Sequence, residues 1–187
     1  MAAAILQQRL AERGVDARVT SAGTIPWSSG ATKPAVKVML EHGLDISGHE
    51  NRQLTRELVE EADLVLGMTR DHVSIATARS PSARGRTFLV GELARLGADV
   101  GPRATTEPPA VWAERAAAAR PVRRPLGRAV DEIADPAGEP IDFYRRTAVE
   151  LDDRLTKIAA LLAGVPTLAR RRRLGRPPEQ SRSSRRR

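Results

Sequence analysis

The sequence has 187 residues, 41% hydrophobic but only 3% aromatic, so one domain with a core built mainly from Ala, Val and Leu is expected. Cysteine is absent, which excludes disulfides, Cys-ligated zinc, iron–sulfur clusters and thiol nucleophiles within these residues. The net charge of +8 is unevenly divided: residues 165–187 hold nine arginines and one acid, Glu179, whereas residues 1–164 balance 22 bases against 22 acids.

A neutral body with a basic tail is not the pattern of a fold that reads DNA through a basic surface stripe. No apolar run approaches the roughly 18 residues of a membrane span. The opening MAAAILQQRLAERG reaches charge too early for a signal-peptide core.

In chain order, Ile5, Leu6 and Leu10 recur at helical spacing, and Gly14 is a natural stop, so Met1–Arg13 is predicted helical. VDARVTS then predicts a strand near residues 15–21, followed by a loop from Thr24 to Gly30. Thr32 is placed to cap a second helix with Pro34 in its first turn and Gly43 at its end. Residues 44–54 are loop-like, and Thr55 caps a short helix ending near Ala62. The apolar run Leu64–Leu66 predicts a strand buried on both faces. Thr69 opens a helix that must stop before Pro81, and Thr87–Val90 is a further buried strand. Residues 97–130, rich in Pro, Arg and Ala, are expected to form a surface excursion around one short helix at Val111–Ala119.

The last helix carries the clearest pattern. Ile141, Tyr144, Ala148, Leu151, Leu155, Ile158 and Leu162 form one apolar stripe. A domain over residues 1–164 is therefore expected, with an Arg-rich tail over 165–187 too polar to fold by itself. Helices alternating with short apolar strands predict an α/β domain with a parallel sheet. Such a domain normally begins with a central strand, whereas this sequence opens inside a helix.

Five segments, in this order, resemble the low-molecular-weight protein tyrosine phosphatases of bacterial type and their arsenate-reductase-like and arginine-phosphatase relatives. They are MAAAILQQRL at the start, SAGT at 21–24, LEHGLDISGHENRQLT at 40–55, ADLVLGMTRDHV at 62–73 and DEIADPAGEPIDFYRR at 131–146. The resemblance implies a three-layer α/β/α fold with a parallel four-stranded sheet, here lacking its first, central strand. It also implies that the family's C-x5-R-[ST] phosphate loop would lie directly upstream of Met1. The chain as given is accordingly expected to be inactive.

The same resemblance suggests roles for single residues. Asp135, followed by Pro136, matches the general acid, although Asp-Pro also initiates turns. Ser21 and His49 match the polar residues that hold the phosphate loop in shape. Trp27 matches an aromatic wall for the substrate ring, or else anchors its loop. Ala137-Gly138 departs from tyrosine-specific relatives, which often carry Tyr after the Asp-Pro pair. Asp131 fits helix capping or solvent contact better than catalysis, and His42 and His72 are read as structural or solvent-facing. No metal or cofactor is implied. The expected partner is a phosphotyrosine protein, a tyrosine kinase among the candidates, in the cytoplasm. Arginine phosphatase, arsenate reductase and a non-catalytic protein whose tail binds polyanions weakly stand as alternatives.

Overall fold

The computed structural model describes residues 1–25, 30–121 and 127–165. Trp27 and the tail beyond Val165 therefore lie outside the described residues.

The first helix, α1 (Ala2–Ala11), buries Ile5, Leu6 and Leu10 along one face. Helix α2 (Lys33–Glu41) starts where its cap predicts: the Thr32 hydroxyl accepts from the Ala35 N–H, and Ala35, Val38 and Met39 turn inward. The chain continues through α3 (Arg56–Glu61), capped by Thr55, and strand β1 (Val65–Gly67). In α4 (Arg70–Arg79) the Thr69 hydroxyl accepts from His72 N–H while His72 Nδ1 accepts from Thr69 N–H. His72 is thus a capping residue, and His42 is an exposed residue at the end of α2.

A 3-10 turn at Pro81–Arg86 leads into strand β2 (Thr87–Leu89), followed by α5 (Val90–Val100), α6 (Pro109–Ala118) and α7 (Ile141–Ala163). The expected stripe of α7 is buried along Tyr144, Ala148, Leu151, Leu155, Ile158 and Leu162.

Strands β1 and β2 pair in parallel, with Val65 opposite Thr87, Leu66 opposite Phe88 and Gly67 opposite Leu89. Leu64, Leu66 and Phe88 belong to the large core shared with α1, α2, α5, α6 and α7. Val65 belongs to a smaller cluster of Val59, Ala76 and Ala83 on the other face. Helices therefore cover both faces of the sheet, as in a three-layer α/β/α domain.

Two expectations need correction. Residues 15–21 have the inward–outward alternation of a strand, with Val15, Ala17 and Val19 half-buried against the core and Asp16, Arg18 and Thr20 exposed. Yet they pair with no neighbouring strand, and the sheet of the described residues has two strands, not the larger set expected. A strand is defined by its ladder, and here a side chain takes the neighbour's place. Gln7 Nε2 donates to Ala17 O and Gln7 Oε1 accepts from Val19 N–H, both at 2.9 Å. These are the two groups that one residue of an adjacent parallel strand would engage.

The second correction concerns residues 97–130. The expected short helix is present as α6, but it is not a surface element: α5 occupies 90–100, and α6 buries Trp112, Ala113 and Ala116 completely. The Trp112 indole N–H donates to Gly101 O at 2.9 Å, which satisfies its polar atom inside the core. Of the two readings of Asp131, capping holds and solvent contact does not: its carboxylate accepts from Arg128 N–H at 3.1 Å at the start of the 3-10 turn Ala129–Asp131. Asp131 is 3% exposed and also accepts from the side chains of Arg95 at 2.9 Å and Arg128 at 3.1 Å. Burial raises its carboxyl pKa, but the two guanidinium groups prevail and lower it to about 2.

Arginine has a recurring task in this fold. Of the 31 basic residues only three are lysine. Arg86 donates to Ala62 O and Glu60 O at the end of α3, and Arg115 to Val100 O at the end of α5. Arg103 donates to Leu162 O at the end of α7. Helix C-termini leave carbonyls without intrahelical partners, and guanidinium forks satisfy them here. Beyond Gly164, Val165 pairs with Ala104, its N–H donating to Arg103 O at 2.9 Å.

Candidate functional site

Ligands of open parallel α/β sheets bind outside the carboxyl ends of the strands. Three segments meet that edge here. The extended segment 15–20 ends at Ser21, whose carbonyl accepts from Arg52 Nε at 2.8 Å. Gly23 then forms a single parallel bridge with Gln53, with Gly23 N–H donating to Arg52 O and Leu54 N–H to Gly23 O. These bonds clamp the 21–24 segment to the loop that carries His49.

The third segment carries Asp135. It is tied to the sheet where β1 ends, because Ile133 N–H donates to Met68 O at 2.8 Å. Next to it the Glu132 carboxylate accepts from Arg70 N–H at 2.8 Å and Arg70 Nε at 3.1 Å, at the positive end of α4. These bonds, the backbone one foremost, hold the Glu132 carboxyl below its ordinary range against the opposing effect of burial. Asp135 itself is exposed, and its Oδ1 accepts from Ala137 N–H at 3.0 Å. That bond closes an Asx turn and leaves the second carboxylate oxygen directed by nothing else in the turn.

Ser21 and His49 come together. Both line a pocket of about 400 Å3 whose other walls include Ala3 and Ala4 from the first turn of α1, together with Gln7 and Arg52. His49 is half-buried, with Nε2 3.1 Å from Asn51 Oδ1 and its own N–H donating to Ile46 O. The pocket thus presents hydroxyls, an imidazole, an amide, a guanidinium and the Glu50 carboxylate beside a helix N-terminus, a mixed set suited to hydrogen-bonding the N–H and C=O groups of a loop.

Asp135 is not among the residues lining that pocket. Gln7 and Arg52 were not singled out from the sequence. A glutamine in an alanine-rich helix and an arginine in a polar loop carry no local signal of their role. Among the described residues, no three His, Asp or Glu side chains gather as metal ligands, and no helix is long and apolar enough to cross a membrane.

A family model described as low molecular weight phosphotyrosine protein phosphatase matches residues 1–97. A probable low molecular weight protein-tyrosine-phosphatase, EpsP, of Ralstonia solanacearum is 43% identical over 100 residues, covering 53% of this chain and 66% of that protein. The match to Etp of Escherichia coli K12, at 39% identity, covers 33% of this chain and 42% of the relative, so these alignments span less than two thirds of the proteins they match. A protein-arginine-phosphatase of Bacillus subtilis is 28% identical over 87% of each chain.

Among solved structures, a YwlE mutant from Bacillus subtilis superimposes with a TM-score of 0.62 at 27% identity, covering 85% of this chain and 86% of that one. A low molecular weight protein tyrosine phosphatase from T. tengcongensis gives 0.62 at 26% identity over 86% and 88% of the two chains. With more than half its length matched by the family model and the layered sheet to go with it, the chain belongs to the low molecular weight phosphotyrosine protein phosphatase family.

Proposed function

We propose that residues 1–164 are the body of a phosphomonoesterase whose phosphate loop and first strand come from residues outside this sequence. The observation that carries the reading is the Gln7 bracket on Ala17 and Val19, set beside the pocket that holds Ser21 and His49. The backbone groups a neighbouring parallel strand would use are engaged by one side chain, and Ser21 and His49 line one pocket beside the first turn of α1.

The chemistry follows from the family. A cysteine thiolate attacks phosphorus, the phosphorus–oxygen bond to the leaving group breaks, and Asp135 supplies the proton that the leaving oxygen takes. The Asp135 carboxylate then accepts a proton from water as that water attacks the cysteinyl-phosphate, which releases phosphate and restores the thiolate. Without cysteine the first bond cannot form, so the chain as given is expected to be inactive. The substrate is a phosphorylated protein of the cytoplasm, with phosphotyrosine as the first candidate side chain and a tyrosine kinase as one such protein.

One observation favours phosphoarginine instead. Alignment with the arginine phosphatase extends over 87% of both chains, and the turn after Asp135 carries Ala137 and Gly138 where a tyrosine would wall an aromatic ring. The Arg-rich tail adds weak, salt-sensitive polyanion binding.

The test uses the coding sequence. An in-frame apolar strand and C-x5-R directly upstream, with hydrolysis of an aryl phosphate by the extended protein and none by the present chain, would bear the reading out. Asp135→Asn in that protein should lower kcat by roughly 10²–10⁴-fold on poor leaving groups. Unrelated upstream sequence, or metal-independent turnover by the present chain, would refute it. Relative turnover of phosphoarginine and phosphotyrosine peptides decides between the two substrates.

A further inference from the structure

Helix α2 buries one face and leaves apolar surface at the margin of that face. Ala35, Val38 and Met39 turn into the core, while the exposed Leu40 and the half-buried Val36, one turn apart at that margin, line a shallow groove of about 590 Å3. Leu40 is 55% exposed. Ala31, Lys33, Lys37 and Glu41 complete the walls.

The charges around this groove are unequal. Glu41 is occupied by the Arg145 guanidinium, which accounts for both its oxygens at 2.9 and 2.8 Å. Lys33 and Lys37 make no ion pair among the described residues, although Lys37 exerts a longer-range attraction on Glu41. They are two of the three lysines in the chain. Elsewhere among the described residues many arginines, Arg86, Arg103, Arg115 and Arg120 among them, are held by carboxylates and carbonyls. Here two unneutralised ammonium groups stand one helical turn apart beside an exposed leucine.

We infer that this groove docks an acidic segment of a partner protein, with apolar side chains entering between Val36 and Leu40 and carboxylates meeting Lys33 and Lys37. Charge decides among the occupants. The chain's own tail, with nine arginines against one acid, is repelled by the two lysines. A second copy placed groove to groove would bring four lysines together. A concave apolar floor also fits a protruding side chain better than a flat bilayer. The inference does not depend on the phosphatase reading, because its test involves no turnover.

The probe is a fluorescently labelled peptide in which leucines recur at helical spacing among glutamates, titrated against the full chain. Leu40→Ser and Lys37→Glu should each weaken binding roughly tenfold or more. Val111→Ser, at another exposed apolar residue away from the groove, should leave binding unchanged, as melting temperatures confirm that all three variants fold. Equal binding by the groove variants would overturn the inference. So would equal binding of a peptide with serines in place of leucines, which would mean attraction to the tail alone. Binding to phosphatidylserine vesicles that the groove variants abolish would also overturn it, in favour of a membrane contact.

Discussion

The two strands of the sheet live in different surroundings. Phe88 and Leu89 of β2, with Val90 after them, are fully buried, and the adjoining Glu92 and Arg120 form a buried pair at 2.9 Å. Arg120 also donates to Thr87 O and lies 4.1 Å over the Phe88 ring. Leu64, Val65 and Leu66 on the β1 side are only half-buried, and residues 15–19 face one glutamine where a strand would be. The molecule is well packed away from the candidate site and under-packed beside it. Burial in this fold therefore follows the sheet's neighbours more than the hydrophobicity of each strand, since Leu64–Leu66 are as apolar as Phe88–Val90.

The largest test of that contrast compares cavities. Phe88→Ala should cost about 3–5 kcal/mol, a full core truncation. Leu66→Ala in the same chain should cost only about 1–2 kcal/mol, because part of its surface already meets water. Denaturant midpoints measure both, and equal losses would remove the contrast. In a longer protein carrying the proposed strand, the cost at Leu66 should rise to the range of a buried leucine.

Gln7→Ala comes next. It frees two backbone groups that lie beside the core, and about 1–2 kcal/mol should be lost, with faster amide exchange at Val19. Gln7→Glu sharpens this result, because it keeps an acceptor for Val19 N–H but removes the donor to Ala17 O.

A smaller effect is expected with pH on the well-packed side. Asp131 has a folded pKa lowered to about 2 from an ordinary value of 3.8. Its stabilisation is therefore complete above about pH 4 and is lost as pH falls through the folded value near 2. Asp131→Asn should flatten the stability profile across that window, read from melting temperature against pH. The smallest effect belongs to Asp135. Exposed and bonded only to Ala137 N–H within its turn, it should change stability by less than about 0.5 kcal/mol when replaced by Asn, and a larger loss would make it a structural residue.

Much of this was legible in the sequence wherever a local signal agreed with the final packing. Thr32, Thr55 and Thr69 cap helices because side-chain oxygens next to free N–H groups need no tertiary help. The α7 stripe is readable for the same reason. Helix α5 was missed because Gly91 and Gly97 lower its propensity, and what they provide is visible only in three dimensions. A Cβ at Gly91 would lie 2.6 Å from Asp131 O, and one at Gly97 would lie 2.8 Å from Leu161 Cδ1. The 15–21 segment shows the reverse, a correct alternation without the partner that would make it a strand. Ser21 and His49 stand out in the sequence because family-like frames surround them, and both line one pocket, whereas Gln7 is visible only through its bonds to Ala17 and Val19.

The arginine closures at the helix ends give this protein an uneven chemical vulnerability. Reagents that modify lysine would reach Lys33 and Lys37 on an exposed helix face and leave every helix terminus intact. Dicarbonyl reagents that modify arginine would instead remove the donors from Ala62, Val100 and Leu162 and uncap α3, α5 and α7 together. For this chain, arginine modification would remove bonds that close three helices, whereas modification of Lys33 and Lys37 would break no ion pair among the described residues.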